Sequence, residues 1–304
     1  MTVLSGKYGA ITSNPAMDTI RNWVLSETTT PAEFRASNTL SGTGRREGVY
    51  DYSGTCEGYA GVPPVMPSEY FDFLGYTAPT TGARGAAGIT LSAVNAICEE
   101  VTINWNWATC ELLNWSMRFA AGEPLNITHA TGTDVDAVVP DPPVICGTKV
   151  TLTASNIVWP NIVSASLTIT ANNPTFVNST NQCITGRRPG IIDWTAAIVE
   201  QATGPSATLS TSACLGTEVG GDTILSLWVD ATTYWDLWWG HLVSISDLRV
   251  DMDTGAIIEQ TNNFAMNGFD VGESGNGRIA RPGEDGASNP YWWPTEVIAD
   301  VLPF

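Results

Sequence analysis

Basic side chains are scarce in this chain of 304 residues. It has 13 Lys and Arg residues against 31 Asp and Glu residues, a net charge of −18, and its only lysines are Lys7 and Lys149. Proteins that bind DNA or RNA gain much of their affinity from basic side chains that displace counterions from phosphates. The charge balance therefore argues against tight binding of nucleic acid.

Long apolar runs are also missing. No stretch approaches the roughly 18 apolar residues that a membrane-spanning helix needs, and the first residues, MTVLSGKYGAITSNP, do not place an apolar segment after a basic one. We therefore expect neither a membrane span nor a signal peptide. Charged residues make up 14% of the chain and hydrophobic residues 43%, which predicts a folded protein with an apolar core.

Residues typical of catalysis are few. The only histidines are His129 and His241, and the common motifs of serine hydrolases, zinc proteases and P-loop proteins do not occur. The six cysteines show no C-x-x-C spacing, so we interpret them as small buried thiols of a reducing compartment. We predict that the protein is not an enzyme and holds no cofactor.

Two segments have a superficial similarity to ion-binding loops. GTGRREG from Gly42 is similar to a phosphate-binding loop, but its first glycine is replaced by Ile184 in the related second segment. DMDTG from Asp251 resembles the start of a calcium loop, yet Ala256 and Asn262 stand where that motif requires Gly and Glu. We therefore interpret both segments as turns beside strands.

One segment of the chain recurs. TGRREGVYDY at Thr43 to Tyr52 is matched by TGRRPGIIDW at Thr185 to Trp194, an offset of 142 residues. Further pairs of segments follow in the same order along the chain: 22–34 with 166–176, 69–77 with 222–230, 88–94 with 240–246, 101–107 with 247–253, and 114–122 with 259–268. This shared order predicts two diverged copies of one fold.

The periodicity of these segments predicts β-strands. In VTINWNW at residues 101–107, apolar Val, Ile and Trp alternate with Thr and Asn, which is typical of a strand with one buried face. Many Gly and Pro residues, 29 and 18, supply turns. The fold class predicted is mainly β, with two tandem copies of a β-sandwich or barrel. Evidence for helices is thin, although short ones could begin at Ala16 and Ser68.

Proline and glycine mark the predicted boundaries. Pro140, Pro142 and Pro143 interrupt an acidic connector, so we place the boundary near Asp141. The last segment is Gly-rich, has no counterpart in the first half, and is predicted to pack on another subunit as an arm. The predicted units are a first domain with linker at 1–140, a second domain at 141–268 and a C-terminal arm at 269–304.

These features together resemble a known family. Two copies of a β fold, each with a strand of the GRREGVYDYSG type, a later aromatic strand and a closing segment similar to RFAAG, resemble the tail tube proteins of long-tailed bacteriophages. The resemblance implies a structural virion protein that assembles in the host cytoplasm into stacked rings. Those rings form the conduit for genome delivery, contact other tail proteins, let viral DNA pass without tight binding and involve no membrane. A member with two domains is expected to form trimeric rings of pseudo-sixfold shape.

Several residues are candidates for roles in such an assembly. Paired arginines in both copies could bridge to carboxylates of a neighbouring subunit, although they could also be solvated strand ends. Most of the 12 tryptophans are expected to fill the core, whereas clustered aromatic residues, Trp235 among them, could anchor an interface. The interface candidates are Arg45, Arg46, Arg187, Arg188, Trp238, Trp239, Tyr291, Trp292 and Trp293. The polar strand faces that could line a lumen, expected to be acidic or neutral, carry Asn104, Asn106, Asp247, Asp251 and Asp253.

Two other classes of function stay open. A secreted or surface β-sandwich could bind carbohydrate, with Trp292 and Trp293 as its platform, though the expected absence of a signal peptide disfavours this reading. A glycosidase is a third option because carboxylates are plentiful, but no paired motif singles out two of them.

Overall fold

Every secondary-structure element of the described residues is a β-strand. The computed structural model describes residues 4–14, 20–35, 43–59, 63–79, 89–122, 128–131, 147, 149–152, 157–158, 161–177, 185–201, 224–229, 234–238, 240–249, 258–266 and 278–280. The mainly β class is confirmed. Neither short helix is found here, since Ile20 to Trp23 lie in a strand and Ser68 lies in a turn. No helix that could cross a membrane is found in these ranges.

Eighteen strands are present in the described ranges. In chain order they are β1 (Leu4–Asn14), β2 (Ile20–Phe34), β3 (Gly44–Tyr59), β4 (Tyr70–Pro79), β5 (Ile89–Asn106), β6 (Asn114–Ala121), β7 (Thr128–Thr131), β8 (Val150–Leu152), β9 (Ile157–Val158), β10 (Ile162–Asn172), β11 (Thr175–Phe176), β12 (Gly186–Arg187), β13 (Ile191–Gln201), β14 (Ile224–Trp228), β15 (Tyr234–Trp238), β16 (Gly240–Arg249), β17 (Glu259–Met266) and β18 (Arg278–Ala280).

The largest sheet has 11 strands, and its main path runs β16-β17-β13-β10-β5-β6-β3-β2. All pairs along this path are antiparallel. Strand β5 is 18 residues long and takes part in two sets of pairs. Its first half, from Ile89, pairs with β4 and β7, whereas its second half, to Asn104, pairs with β6. A register shift between Cys98 and Glu100 lies where the strand passes from one set to the other.

Alternation along β5 gives the sheet one apolar and one polar face. Val101, Ile103 and Trp105 are buried, while Asn104 is exposed and Asn106 half-buried on the opposite face. This is the alternation predicted from VTINWNW, because successive side chains of a strand point to opposite sides. Burying each such large apolar side chain contributes about 1.5–3 kcal/mol.

A second sheet, of five strands in the order β18-β15-β14-β8-β9, covers part of the apolar face. Its Leu225, Leu227 and Trp235 belong to the same buried cluster as Trp105. The indole Nε1 of Trp105 donates a hydrogen bond to the carbonyl oxygen of Trp228 at 3.2 Å. The core therefore lies between the two sheets, and aromatic side chains fill much of it.

The described cysteines are unpaired thiols. Cys56 and Cys98 are buried in the core, as expected for small apolar side chains. Cys110 is exposed in the turn after β5, so the prediction of burial is wrong for this residue.

Candidate assembly interface

Arg187 is the centre of a cluster of ion pairs and hydrogen bonds in the described residues. It lies on β12, which pairs with β11 to form a short hairpin, here called the β11–β12 arm (173–177 and 185–190). Its Nη1 and Nη2 donate to Oδ1 and Oδ2 of Asp51 at 2.9 and 3.0 Å. Its Nε lies 3.0 Å from Oε1 of Glu99, and Nη1 also donates to the carbonyl oxygen of Ala121 at 3.2 Å. A planar guanidinium is suited to this two-pronged geometry.

The charges around Arg187 form a chain of ion pairs. Glu99 also contacts Arg118, at 3.1 Å, and Arg118 reaches Glu100 at 3.2 Å. The Arg187 side chain is only 12% exposed. Burial lowers the pKa of Arg187, but the hydrogen bonds and charge of Asp51 and the charge of Glu99 outweigh this and raise the pKa. Arg187 therefore stays charged and neutralises two carboxylates of the first half.

Backbone contacts fasten the same arm to the first half. The Arg187 N–H donates to the carbonyl oxygen of Gly122 at 2.6 Å, and the Tyr70 hydroxyl donates to the Arg187 carbonyl at 3.0 Å. The Thr185 N–H donates to the carbonyl oxygen of Tyr50 at 2.8 Å. These hydrogen bonds therefore attach the β11–β12 arm to the first half of the same chain, at what is here called the junction.

A second polar contact secures the end of the arm. The Gly190 N–H donates to Ser68 Oγ at 3.1 Å and lies 3.0 Å from Asn173 Oδ1. Asn173 Nδ2 in turn donates to the carbonyl oxygen of Cys98 at 3.0 Å. These groups would otherwise be left without partners in a partly buried position, which costs about 1–3 kcal/mol for each group.

The predicted intersubunit role is wrong for Arg187, because its carboxylate partners lie in its own chain. The repeat places the second arginine pair beside the first half, where Asp51 and Glu99 are available. Arg188 is exposed and lies over the ring of Phe176, with its Cζ 5.2 Å from the ring centroid. Both arginines of the second motif therefore contact groups of this chain.

The first arginine pair has a different environment. Arg45 is 63% exposed and forms an ion pair with Glu33 at 2.9 Å on the neighbouring strand. Arg46 is exposed as well. Exposed pairs of this kind contribute about 0–1 kcal/mol to stability. Both guanidinium groups therefore remain accessible to a further partner.

The two ends of the main sheet path carry exposed edges. Strand β2 pairs only with β3, and β16 only with β17, among the strands that the structure describes. Val24 on β2 is 57% exposed and Val243 on β16 is 53% exposed. Long unprotected edges with apolar side chains invite pairing with another chain.

The polar face of the large sheet is rich in hydroxyl and amide groups. Asn104 lies beside Asn114, whose Oδ1 accepts a hydrogen bond from Asn104 Nδ2 at 3.3 Å. The next strand places Ser166 opposite Asn104 and Ser164 opposite Asn106. The structure thus brings together the two asparagines proposed for a lumen, on one polar face.

The side chains of several predicted interface and lumen residues lie outside the described part of the structure. Trp238 pairs with Ile224 and Arg278 through the backbone, and Asp247 belongs to β16, but the side chains of both lie outside the described part. Trp239, Asp251, Asp253, Tyr291, Trp292 and Trp293 lie outside the described residues. The segment expected to be an arm contains β18, which pairs with β15 of its own chain. Part of this segment therefore belongs to a sheet of its own chain.

The described ranges contain no candidate metal centre. They contain no group of three or more His, Cys, Asp or Glu residues that could hold a metal ion. Comparison with models of protein families and with curated proteins found no match to this chain. The functional proposal therefore depends on the geometry of the sheets.

Sequence reasoning missed the acidic partners of Arg187. Asp51 lies inside the recurring motif, and Glu99 with Glu100 interrupts an otherwise apolar strand, ICEEVTI. Charges inside a strand with a buried face suggest paired groups. That signal could have singled out Glu99 and Glu100, but it could not have identified Arg187 as the partner.

Proposed function

We propose that this protein is a structural subunit that adds to copies of itself edge to edge, forming rings that stack into a tube, as in the phage tail tube proteins that its sequence resembles. The observation that carries the proposal is the order of strands in the large sheet, whose main path ends at β2 and β16 with no further described strand beside either. The pairing of β5 with β10 inside the chain shows how β16 of one copy could pair with β2 of another.

The strand pairs of the large sheet support a duplication. Glu27 faces Tyr52 across β2 and β3, and Ile169 faces Trp194 across β10 and β13. Each residue of the second pair lies 142 positions after the corresponding residue of the first. The same offset holds along both pairs of strands. Each pair also has a register shift at the equivalent place, after Ile20 and after Ile162. Two unrelated hairpins would not share register and irregularity.

The recurring glycines have the same structural reason in both halves. A Cβ on Gly48 would overlap the backbone carbonyl of Thr30, and a Cβ on Gly190 would overlap that of Asn172. These four residues are again related by the offset of 142. The pattern TGRRxG therefore reflects a close backbone approach that only glycine permits.

The closing strand of each half is also equivalent. Phe119 on β6 faces Gly54, and Phe264 on β17 faces Ala196. On their other sides Phe119 faces Cys98 and Phe264 faces Leu242. Each of the latter contacts is followed by a register shift, which makes the later part of β5 and β16 equivalent at an offset of 144. The proposed equivalence therefore pairs residues 101–107 with 245–251, two residues earlier than the alignment made from the sequence.

The smaller strands follow the same plan. β1, β4, the first half of β5 and β7 lie side by side in that order, and β8, β14, β15 and β18 do likewise. Each half thus has one layer of four strands on the main path and a second layer, of four strands in the first half and of five, including β9, in the second. This arrangement supports the β-sandwich description. Because β7 and β18 are the last members, we propose units of residues 4–131 and 149–280 in place of the boundary at 268.

The order of the strands explains how copies would join. The path β2-β3-β6-β5 is followed directly by β10-β13-β17-β16, so β10 of the second unit adds to β5 of the first. The same step applied once more adds β2 of another copy to β16. Such a contact is head to tail, and it closes a ring when the rotation is suitable.

The polar face is the proposed wall of the lumen. Asn104 and Asn106 lie there among serine and threonine residues, and the net charge of the whole chain is −18. Neutral hydroxyl and amide groups, with few cations, would not hold DNA by counterion release. Viral DNA could therefore pass without tight binding.

Three chains per ring are proposed because each chain fills two successive places of a six-fold circle. Negative-stain microscopy of the purified protein should show rings or tubes, and native mass spectrometry should give three subunits per ring. Six subunits would mean that one unit of each chain lies outside the wall. Monodisperse monomers at high concentration would contradict self-assembly altogether.

A further inference from the structure

The junction between the two halves provides a template for a contact between two copies. Within the chain, β10 carries the β11–β12 arm, whose Arg187 binds Asp51. The equivalent arm of the first half, here called the β2–β3 tip (30–35 and 43–48), carries Arg45. We infer that Arg45 of one copy binds Asp193 of a second copy, with β2 of the first added to β16 of the second. This inference rests on the proposed self-assembly and specifies its contact.

The acceptor is present where the template requires it. Asp51 is matched by Asp193 at the offset of 142 that also relates Arg45 to Arg187. Asp193 is exposed, and it forms no ion pair with any residue that the structure describes. A carboxylate at this position can take both Nη atoms of a guanidinium, as Asp51 does.

The contact between copies lacks an equivalent of Glu99, the second carboxylate that contacts Arg187 within the chain. The position of Glu99 corresponds to Val243, because Cys98 and Leu242, and likewise Glu100 and Ser244, occupy equivalent registers. Val243 is exposed and apolar, so it can pack on the methylene groups of the incoming arginine. The contact between copies would thus have one carboxylate where the junction within the chain has two.

The edges of the sheet carry matching hydroxyl groups. Across β5 and β10, Thr102 and Thr168 face each other, with their Oγ1 atoms 3.3 Å apart. The equivalent residues are Ser246 on β16 and Ser26 on β2. The template therefore sets a register in which Ser26 of one copy lies opposite Ser246 of the next.

Cysteine cross-linking tests the register. Residues directly opposite in antiparallel strands have Cα atoms about 4.5–5.5 Å apart, which suits a disulfide. The variant with both Ser26→Cys and Ser246→Cys should form covalent oligomers under mild oxidation, detected on a non-reducing gel. Each single variant should not form the ladder, and neither should Ser26→Cys combined with Val243→Cys, three residues out of register. A ladder from the out-of-register pair alone would overturn the inference.

Charge exchange tests the ion pair. Arg45→Glu should raise the concentration needed for assembly at least about tenfold, since it replaces attraction by repulsion at a contact that assembly buries. Asp193→Arg should do the same, and the double variant should recover part of the loss. Arg46→Glu makes the same change of net charge at the neighbouring residue and is the matched control. It should weaken assembly less than Arg45→Glu, because the template pairs Arg45 with Asp193.

The possible outcomes separate the two proposals. If the unmodified protein assembles but Arg45→Glu assembles equally well, the contact assigned here is wrong while self-assembly stands. If the double variant is no better than the single variants, Arg45 and Asp193 are not partners. If the unmodified protein stays monomeric at high concentration, both proposals fail. Circular dichroism and thermal unfolding of each variant establish that its fold is retained.

Discussion

Arg187 and Asp51 form a two-pronged ion pair between residues 136 positions apart in the chain, with N–O distances of 2.9 and 3.0 Å. Arg45 occupies the equivalent place in the first occurrence of the motif, and among the described residues its ion-pair partner is exposed Glu33. The same sequence motif is thus buried once and exposed once. This difference makes the two arginines matched probes of fold stability and of assembly.

Arg187→Ala should destabilise the monomer by about 3 kcal/mol, because Asp51 would lose this cation and Glu99 would keep only Arg118. This is the lower end of the range for buried pairs, since the Asp51 side chain keeps 30% of its surface exposed. Arg45→Ala should cost less than about 1 kcal/mol. Urea unfolding of both variants measures the difference, and equal losses would contradict the assigned environments.

Gly48→Ala and Gly190→Ala should each destabilise the protein by at least about 2 kcal/mol, because the new methyl group would overlap a backbone carbonyl that cannot move alone. Gly44→Ala is the control. Its methyl group would meet the ring of Phe34, a partly exposed side chain that can turn aside. Thermal unfolding should therefore rank Gly44→Ala as the mildest of the three.

Tyr52→Phe should leave stability unchanged or raise it by up to about 1 kcal/mol. The Tyr52 hydroxyl is buried without a hydrogen-bond partner among the described residues, so its removal relieves a desolvation cost. Tyr70→Phe should instead lose about 1 kcal/mol, because the Tyr70 hydroxyl donates to the Arg187 carbonyl. A loss on Tyr52→Phe as large as on Tyr70→Phe would show that Tyr52 has a partner.

Stability should fall at alkaline pH because of the buried thiols. Burial, and then the charge of Glu57, raise the pKa of Cys56 from 9.0 to about 12, and burial also raises the pKa of Cys98. Below pH 9 both states keep the proton, so the full stability is present. Above pH 9 the unfolded state releases protons that the folded state retains, and the free energy of unfolding falls by up to about 1.4 kcal/mol per pH unit for each thiol.

Urea unfolding at about pH 8 and at about pH 10.5 measures this slope, because the second value lies inside the range above pH 9 where the linkage acts. Cys56→Ala should reduce the slope, whatever its effect on stability at the lower pH. Cys110→Ser should not change it, because Cys110 is exposed. An unchanged slope in Cys56→Ala would show that its thiol does not contribute.

The sequence by itself determined the strand class and the buried face of strands such as β5. Alternation is a local property, so Val101, Ile103 and Trp105 could be assigned to the core and Asn104 to the polar face without knowledge of any neighbour. The recurring motif also located equivalent arginines. No local pattern, however, states which strand lies beside which.

Only the tertiary structure decided the partners. It placed Arg187 between Asp51 and Glu99, placed residues 278–280 in a sheet beside β15, and set the register of β16 on β17. Each of these depends on contacts between distant parts of the chain, which are set by packing of whole layers and by bulges that shift the register. Similar motifs can therefore have different environments, because Arg187 lies against Asp51 and Glu99, whereas Arg45 pairs with exposed Glu33 on β2, the last strand of the main sheet path.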